Sequence, residues 1–264
     1  MNRIELKFRE LRKKGEKAFI AFITAGYPDL KTTGELVRTF PESGVDIIEL
    51  GIPFSDPLAD GPLIQDASNH ALRKGVNLQK IFALVKACRR STDIPICFMT
   101  YYNPIYTMGE EKFVAACRSC GVDGVIIPDL PMEEGRKLGE GLHHAGVALI
   151  SFVSPTTTPH RLKRICRQSR GFIYYVSLAG VTGPRSRLPK GLKDQVAKVK
   201  AGTSVPVCVG FGVSSPEQVR FLRSFADGVI VGSAIIRRIR DHIGMPGLAQ
   251  DVAGYVARLS GDRR

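Results

Sequence analysis

Short apolar runs recur along the chain at intervals of a few tens of residues. Most of them are continuously hydrophobic rather than alternating, which is typical of parallel strands covered on both faces. The segments between the runs place apolar residues three and four positions apart, the period of an amphipathic helix. Eight strand–helix repeats predict an α/β fold and favour a (β/α)8 TIM barrel over the alternative, an open doubly wound sheet. The predicted strands span residues 19–24, 46–51, 96–101, 124–128, 148–153, 172–178, 207–211 and 228–232.

One barrel accounts for the whole length. The chain has 264 residues, 44% of them hydrophobic, which is enough for the core of a single large domain. No linker, low-complexity tract or break in composition divides it, so we predict one domain over residues 1–264. Residues 2–14 predict an extra amphipathic helix before the first strand, where it would close the lower end of the barrel.

The charge balance is strongly basic, with 38 Lys and Arg against 25 Asp and Glu and a net charge of +13. The densest basic segment, residues 160–170, places Leu162, Ile165 and Cys166 on one helical face and its basic residues on the others. No aromatic residues interleave with these charges, as a surface that stacks bases would require. We therefore interpret the segment as a solvated helix face and predict no nucleic-acid partner. Steep salt dependence of DNA binding would indicate the alternative.

Six cysteines lie inside apolar segments, a pattern typical of reduced, buried thiols in a cytoplasmic protein. Cys117 and Cys120 have the spacing of a redox or metal pair, but they lie within a predicted helix with no second pair. We interpret them as packing residues. No apolar run approaches the roughly 20 residues that cross a bilayer, so we predict neither a membrane span nor a secretory signal.

In such a barrel the active site lies at the carboxyl ends of the strands. No lysine occurs in the eight runs or at their ends, which disfavours Schiff-base chemistry, and the five histidines show no metal-ligand spacing. Acid–base chemistry by carboxylates remains, with Glu49, Asp60 and Asp129 as candidates that physical reasoning alone does not rank. A structural ion pair for Glu49 and an ordinary turn for Asp60 are the competing interpretations. The strand ends carry, in order, Thr24, Glu49, Tyr101, Asp129, Ser154, Ser177, Gly212 and Ser233.

Three glycine-bearing turns follow the last three predicted strands, at residues 179–183, 210–212 and 232–233. Glycine lets backbone N–H groups approach an anion closely, and loops after strands seven and eight often bind phosphate in such barrels. We therefore predict a phosphorylated substrate. Glycines that serve only tight strand-to-helix turns are the alternative.

Five motifs, in order and spacing, resemble those of tryptophan synthase α subunits. They are ELGIPFSDPLADGP at 49–62, PDLP at 128–131, AGVTG at 179–183, VGFGV at 209–213 and GSA at 232–234. The resemblance implies a carbon–carbon lyase that cleaves indole-3-glycerol phosphate to indole and glyceraldehyde 3-phosphate, in the last stage of tryptophan biosynthesis. It implies that Glu49 is the general acid–base and that Asp60 accepts the indole N–H.

The resemblance also implies further site residues. Phe22, Met99, Ile126 and Phe211 would line the indole pocket, while Tyr174 and Thr182 would support the two acids. Gly183, Gly212, Gly232 and Ser233 would bind the phosphate.

A partner is implied as well: a separate β subunit that carries pyridoxal phosphate and forms an α2β2 heterotetramer, so that this chain itself needs no cofactor. Pro53, Asp56, Asn103 and Asp129 would lie at that interface, and residues 53–60 and 179–191 would form mobile loops. Two alternatives stay open, a stand-alone lyase that releases free indole and a non-catalytic subunit that only activates a partner or binds an anion.

Overall fold

Eight parallel strands close into a barrel in sequence order, which confirms the predicted TIM-barrel fold. The computed structural model describes residues 2–176, 191–210 and 212–261. Each strand pairs with its neighbour in the chain, and the first also pairs with the last. The strands are β1 (Ala18–Thr24), β2 (Ile47–Gly51), β3 (Ile96–Met99), β4 (Gly124–Ile126), β5 (Ala148–Val153), β6 (Ile173–Val176), β7 (Val207–Gly210) and β8 (Gly228–Val231).

Helices connect and surround the strands. Periodicity indicates helical segments at residues 78–90, 111–120, 133–144, 161–169 and 216–225, and a helix occurs in each. The helices are α1 (Arg3–Lys14), α2 (Leu30–Thr39), α3 (Pro62–Arg73), α4 (Leu78–Cys88), α5 (Tyr102–Met108), α6 (Glu110–Cys120), α7 (Arg136–His144), α8 (Pro159–Gln168), α9 (Leu192–Ala201), α10 (Pro216–Arg223), α11 (Ser233–Asp241) and α12 (Leu248–Ser260). A 3-10 turn, Phe40–Ser43, follows α2. Within the described ranges, no helix is both long and apolar enough to cross a membrane.

The predicted helix at residues 2–14 is confirmed as α1, which closes the amino-terminal end of the barrel. Its Ile4, Phe8 and Leu11 are buried and pack in one cluster with the lowest inward-facing side chains of the strands. Asn2 caps the helix through the Ile4 N–H and also donates to the carbonyl oxygen of Asp123 at 2.6 Å. The barrel is therefore plugged below, and its opening lies at the carboxyl ends of the strands.

Two strands end two residues earlier than predicted. The run 96–101 ends at Met99, because Tyr101 already caps the N-terminus of α5, a short helix that periodicity does not indicate. The run 124–128 ends at Ile126, two residues before Pro128, which has no N–H for a strand ladder. Both strands therefore end where the loops that form the mouth of the barrel begin.

The basic helix α8 has the orientation that its sequence predicts. Ile165 and Cys166 are buried, whereas its basic residues are exposed. Arg161 and Arg164 both pair with Glu133, at 3.3 and 3.4 Å. The six cysteines are free thiols, five of them buried and Cys120 half-buried.

Candidate active site

Glu49 lies on the inner face of β2, where alternation along a strand directs every second side chain into the barrel. It is in register with Phe22 of β1 and Cys97 of β3. The residue is 1% exposed, and its Oε2 has no hydrogen-bond partner in the described part of the chain. Burial, followed by the nearby charge of Asp60, raises the pKa of Glu49 to about 8. The Glu49 carboxyl is therefore mostly protonated at neutral pH.

Asp60 lies in the loop between β2 and α3 and is also buried, at 6% exposure. Its Oδ2 accepts a hydrogen bond from the hydroxyl of Tyr101 at 3.0 Å, and its backbone carbonyl accepts from Gln65 at 2.8 Å. No described residue contacts Oδ1 by a hydrogen bond. Burial raises the pKa of Asp60 to about 6, and the Tyr101 bond opposes that rise. Asp60 is therefore mostly ionised at pH 7.

Asp129, the third candidate acid, has a different environment. It is exposed, and both of its carboxylate oxygens accept the backbone N–H of Tyr102, at 3.0 and 3.2 Å. These bonds cap the N-terminus of α5. The structure thus distinguishes two buried acids, each with one oxygen that no described residue engages, from one exposed acid that takes part in a helix cap.

The predicted indole-pocket residues on described strands share the inner side of the barrel. Ile126 belongs to the inner cluster, with Met99 and Tyr174 packed against it. Phe22 lies over two glycines, because a Cβ on Gly51 or Gly232 would meet its side chain at 2.7 or 3.2 Å. These glycines leave room for the ring near the barrel mouth.

Tyr174 lies close to both buried acids. Burial and the charges of Glu49 and Asp60 raise the pKa of its phenol well above the usual value. Gly210 of β7 makes room for the ring, since a Cβ there would lie 2.5 Å from it. Phe152 of β5 packs against Tyr174 with ring centroids 5.0 Å apart. Phe152 is not among the residues predicted from the sequence, although the run 148–153 places it on the same inward face as Ile150.

The glycine turns after the last strands are described in part. Gly232 precedes α11, whose first residue, Ser233, is buried. The first N–H groups of a helix have no acceptor within it and can bind an anion. Gly212 has a φ of +46°, a conformation that favours glycine. Thr182, Gly183 and Phe211 lie outside the described residues.

The rim of the barrel carries the predicted interface residues. Asp56, Asn103 and Asp129 are exposed, whereas Pro53 is buried. Two apolar side chains are also open to solvent, Leu58 in the loop between β2 and α3 at 85% exposure and Tyr106 in α5 at 71%. Of the predicted mobile loops, residues 53–60 are described in full and residues 179–191 only at Gly191. The described ranges hold no group of three or more His, Cys, Asp or Glu residues arranged to bind a metal.

Comparison with known proteins identifies the family of this chain. The family model described as tryptophan synthase alpha chain matches residues 8–257. The tryptophan synthase alpha chain of Thermoanaerobacter sp. (strain X514) is 44% identical over 259 residues, which is 98% of each chain. The crystal structure of tryptophan synthase subunit alpha from Legionella pneumophila str. Paris is 35% identical, with a TM-score of 0.91 over 98% of this chain and 97% of that one. A chain of the tryptophan synthase complex from Pyrococcus furiosus is 37% identical, with a TM-score of 0.85 over 93% and 98%. The chain therefore belongs to the tryptophan synthase alpha-chain family.

Proposed function

We propose that this chain cleaves indole-3-glycerol phosphate to indole and glyceraldehyde 3-phosphate, a carbon–carbon lyase reaction of tryptophan biosynthesis. Membership of the family supports the substrate. The observation that carries the chemistry is the pair of buried acids, Glu49 and Asp60, each with one oxygen that no described residue occupies. Their environments give the two carboxyl groups different pKa values. The group with the higher pKa, Glu49, can then donate a proton, and the group with the lower pKa, Asp60, can act as a charged acceptor.

Asp60 acts as the charged acceptor. Its pKa of about 6 leaves it ionised at neutral pH, and its Oδ1 is available for the indole N–H. Protonation of the ring at C3 places positive charge on the ring nitrogen. A fixed carboxylate beside that nitrogen stabilises the charge as it develops, in a site that excludes water.

Glu49 moves the proton. With a pKa of about 8 it is protonated at neutral pH and gives its proton to C3 of the indole ring. The resulting carboxylate takes the proton from the hydroxyl on the side-chain carbon attached to C3. The C–C bond then breaks, its electrons return to the ring, and the hydroxyl becomes the aldehyde of glyceraldehyde 3-phosphate. Glu49 ends the cycle protonated, so protons and electrons balance without a cofactor on this chain.

Substrate orientation follows from the two halves of the site. The apolar inner side chains Phe22, Met99 and Ile126 would hold the indole ring, with Phe211 as the predicted fourth member, and Tyr174 would support the two acids. The phosphate would bind at the start of α11, at Gly232 and Ser233, together with Gly212 and the predicted Gly183. Thr182 would assist the acids from the adjoining loop.

The partner that we propose is a tryptophan synthase β subunit, in an α2β2 heterotetramer in which the β subunit holds pyridoxal phosphate. The related Pyrococcus furiosus structure is described as a tryptophan synthase complex. Leu58 and Tyr106 support the assignment, because exposed apolar side chains on the rim favour a protein interface there. Pro53, Asp56, Asn103 and Asp129 would belong to the same interface.

The six free cysteines support a reducing, cytoplasmic location for the protein. We also propose that the chain folds as one domain.

The test is indole release from indole-3-glycerol phosphate by wild type and Glu49→Gln, each with and without a β subunit. We expect release by the wild type, stimulation by the β subunit, and a loss of at least about 10²-fold in the variant. Glu111→Gln, on the exposed side of α6, is the matched control and should behave as wild type. Equal activity with and without the β subunit would favour the stand-alone lyase. No release by the wild type under either condition would leave the non-catalytic activating role.

A further inference from the structure

Thr24 is a third buried polar group at the mouth of the barrel, and the chemistry proposed above does not use it. The residue ends β1 and is 1% exposed. Its Oγ1 has no hydrogen-bond partner among the described residues, a property that it shares with Glu49 Oε2 and Asp60 Oδ1. An unpaired buried hydroxyl costs about 1–3 kcal/mol, so a fold keeps one mainly where a ligand completes it.

The position of Thr24 in the barrel is defined by register. It follows Phe22 by two residues in the same strand, so its side chain lies on the same, inner side. Its partner across β2 is Gly51, two residues beyond Glu49 in the direction of the mouth. Thr24 therefore lies one layer above Glu49, on the same inner side of the barrel.

The two strands that pair with β1, namely β2 and β8, indicate which part of the substrate would reach Thr24. On one side, β2 carries Glu49, which acts on the carbon attached to the indole ring. On the other side, β8 leads into Gly232 and Ser233, the proposed phosphate site. A glycerol phosphate chain that runs from Glu49 to Ser233 crosses β1, and the hydroxyl that passes there is the one between the reacting carbon and the phosphate.

We infer that Thr24 Oγ1 hydrogen-bonds the second hydroxyl of the substrate's glycerol chain, the hydroxyl that does not react, and so selects a hydroxylated three-carbon phosphate. A neutral hydroxyl both donates and accepts, which suits a neutral partner. This inference rests on the proposed function. It makes Thr24 a specificity residue that contacts substrate without taking part in proton transfer.

The experiment compares Thr24→Val with wild type on two molecules. One is indole-3-glycerol phosphate, and the other is 3-(indol-3-yl)propyl phosphate, which lacks both hydroxyls. Valine keeps the branched shape and removes the hydroxyl. We expect kcat/KM for the substrate to fall about 3- to 10-fold, as for loss of one neutral hydrogen bond. The Kd of the deoxy analogue should stay within about 2-fold, because it has no hydroxyl for Thr24 to meet. Thr24→Ser should recover most of the loss.

Stability separates this role from a structural one. Thr24→Val removes an unpaired buried hydroxyl, so its Tm should equal or exceed that of the wild type. Thr33→Val is the matched control: the Thr33 hydroxyl donates to Asp29 at 2.8 Å and accepts from Gly26 at 3.0 Å, so this variant should lose stability without discriminating between the two molecules.

Three results would overturn the inference: unchanged kcat/KM in Thr24→Val, an equal loss for substrate and analogue, or a marked drop in Tm. A wild type that releases no indole would instead refute the proposed function itself. The two failures are therefore distinguishable in one set of measurements.

Discussion

The hydroxyl of Tyr101 donates a hydrogen bond to Oδ2 of Asp60 at 3.0 Å, although 41 residues separate the two in sequence. The same hydroxyl accepts the N–H of Ala59 at 3.0 Å. The Tyr101 ring stacks on Phe54, with centroids 5.3 Å apart. One side chain at the end of β3 thus holds both the carboxylate and the backbone of the loop that presents it.

This contact predicts the effect of Tyr101→Phe on the pH profile. The hydrogen bond stabilises the charged form of Asp60 and so lowers its pKa, which burial otherwise raises. Without it, the pKa of Asp60 rises further, and the acidic limb of kcat/KM, which we expect near pH 6 in the wild type, moves to higher pH. We expect kcat/KM at pH 6.5 to fall about 3- to 10-fold, with a smaller loss at pH 8.

Tyr175→Phe is the control for that measurement. The Tyr175 hydroxyl donates to Gln195 at 2.6 Å on the outer side of the barrel, so its removal should lower stability and leave the acidic limb in place. An acidic limb that does not move in Tyr101→Phe would show that Asp60 does not set it.

The burial of Glu49 predicts a pH-dependent gain in stability for Glu49→Gln. The folded state holds the Glu49 proton up to about pH 8, whereas the unfolded chain releases it near the ordinary value of 4.5. The contribution of Glu49 to the free energy of unfolding is therefore fully present below pH 4.5 and is lost as the pH rises to about 8. Glutamine does not ionise, so the Tm advantage of the variant should be small at pH 5 and reach several degrees at pH 8.5.

Thermal unfolding at the two pH values checks this, with Glu111→Gln as the exposed control that should show no such trend. A difference between wild type and Glu49→Gln that is the same at pH 5 and pH 8.5 would mean that Glu49 is not held protonated in the folded state.

Substitution of a buried acid should reduce activity far more than substitution of the exposed acid Asp129. Asp60→Asn removes the buried charge beside the ring nitrogen, and we expect kcat/KM to fall by about 10²-fold or more. Asp129→Asn keeps an oxygen that can accept the same N–H at an exposed helix cap, so the chain assayed without a β subunit should lose less than about 1 kcal/mol of stability and little activity. Steady-state rates and thermal melts of both variants test the ranking. Comparable rate losses in the two would contradict it.

The sequence pattern predicts the strands, their inward parity and so the common location of Phe22 and Glu49, because burial on both faces leaves long apolar runs. It does not rank Asp60 above Asp129. Both are acids in proline-rich loops, and the difference is a contact with Tyr101 that depends on how a loop folds. The sequence does not predict α5 either. This helix has only seven residues, one of them Pro104, and about two turns are too few to give a periodic hydrophobic pattern. The helical pattern also places the start of α7 at residue 133, whereas residues 133–135 form a turn in which the Gly135 N–H donates to the Pro131 carbonyl at 2.9 Å.

Gly210 leaves room for the Tyr174 ring near the mouth of the barrel, so Gly210→Ala should disturb that ring. A methyl group on Gly210 would lie 2.5 Å from the Tyr174 ring, so the ring must move away from Glu49 and Asp60. Overpacking of this kind costs about 1–3 kcal/mol, and we expect a matching drop in stability together with at least a 10-fold fall in kcat/KM. Gly254→Ala in α12 is the control: its added methyl group meets nothing closer than 3.7 Å, and alanine should stabilise that helix by about 0.5–1 kcal/mol with unchanged activity. Wild-type activity in Gly210→Ala, with reduced stability, would place Tyr174 outside the reacting site and restrict it to packing.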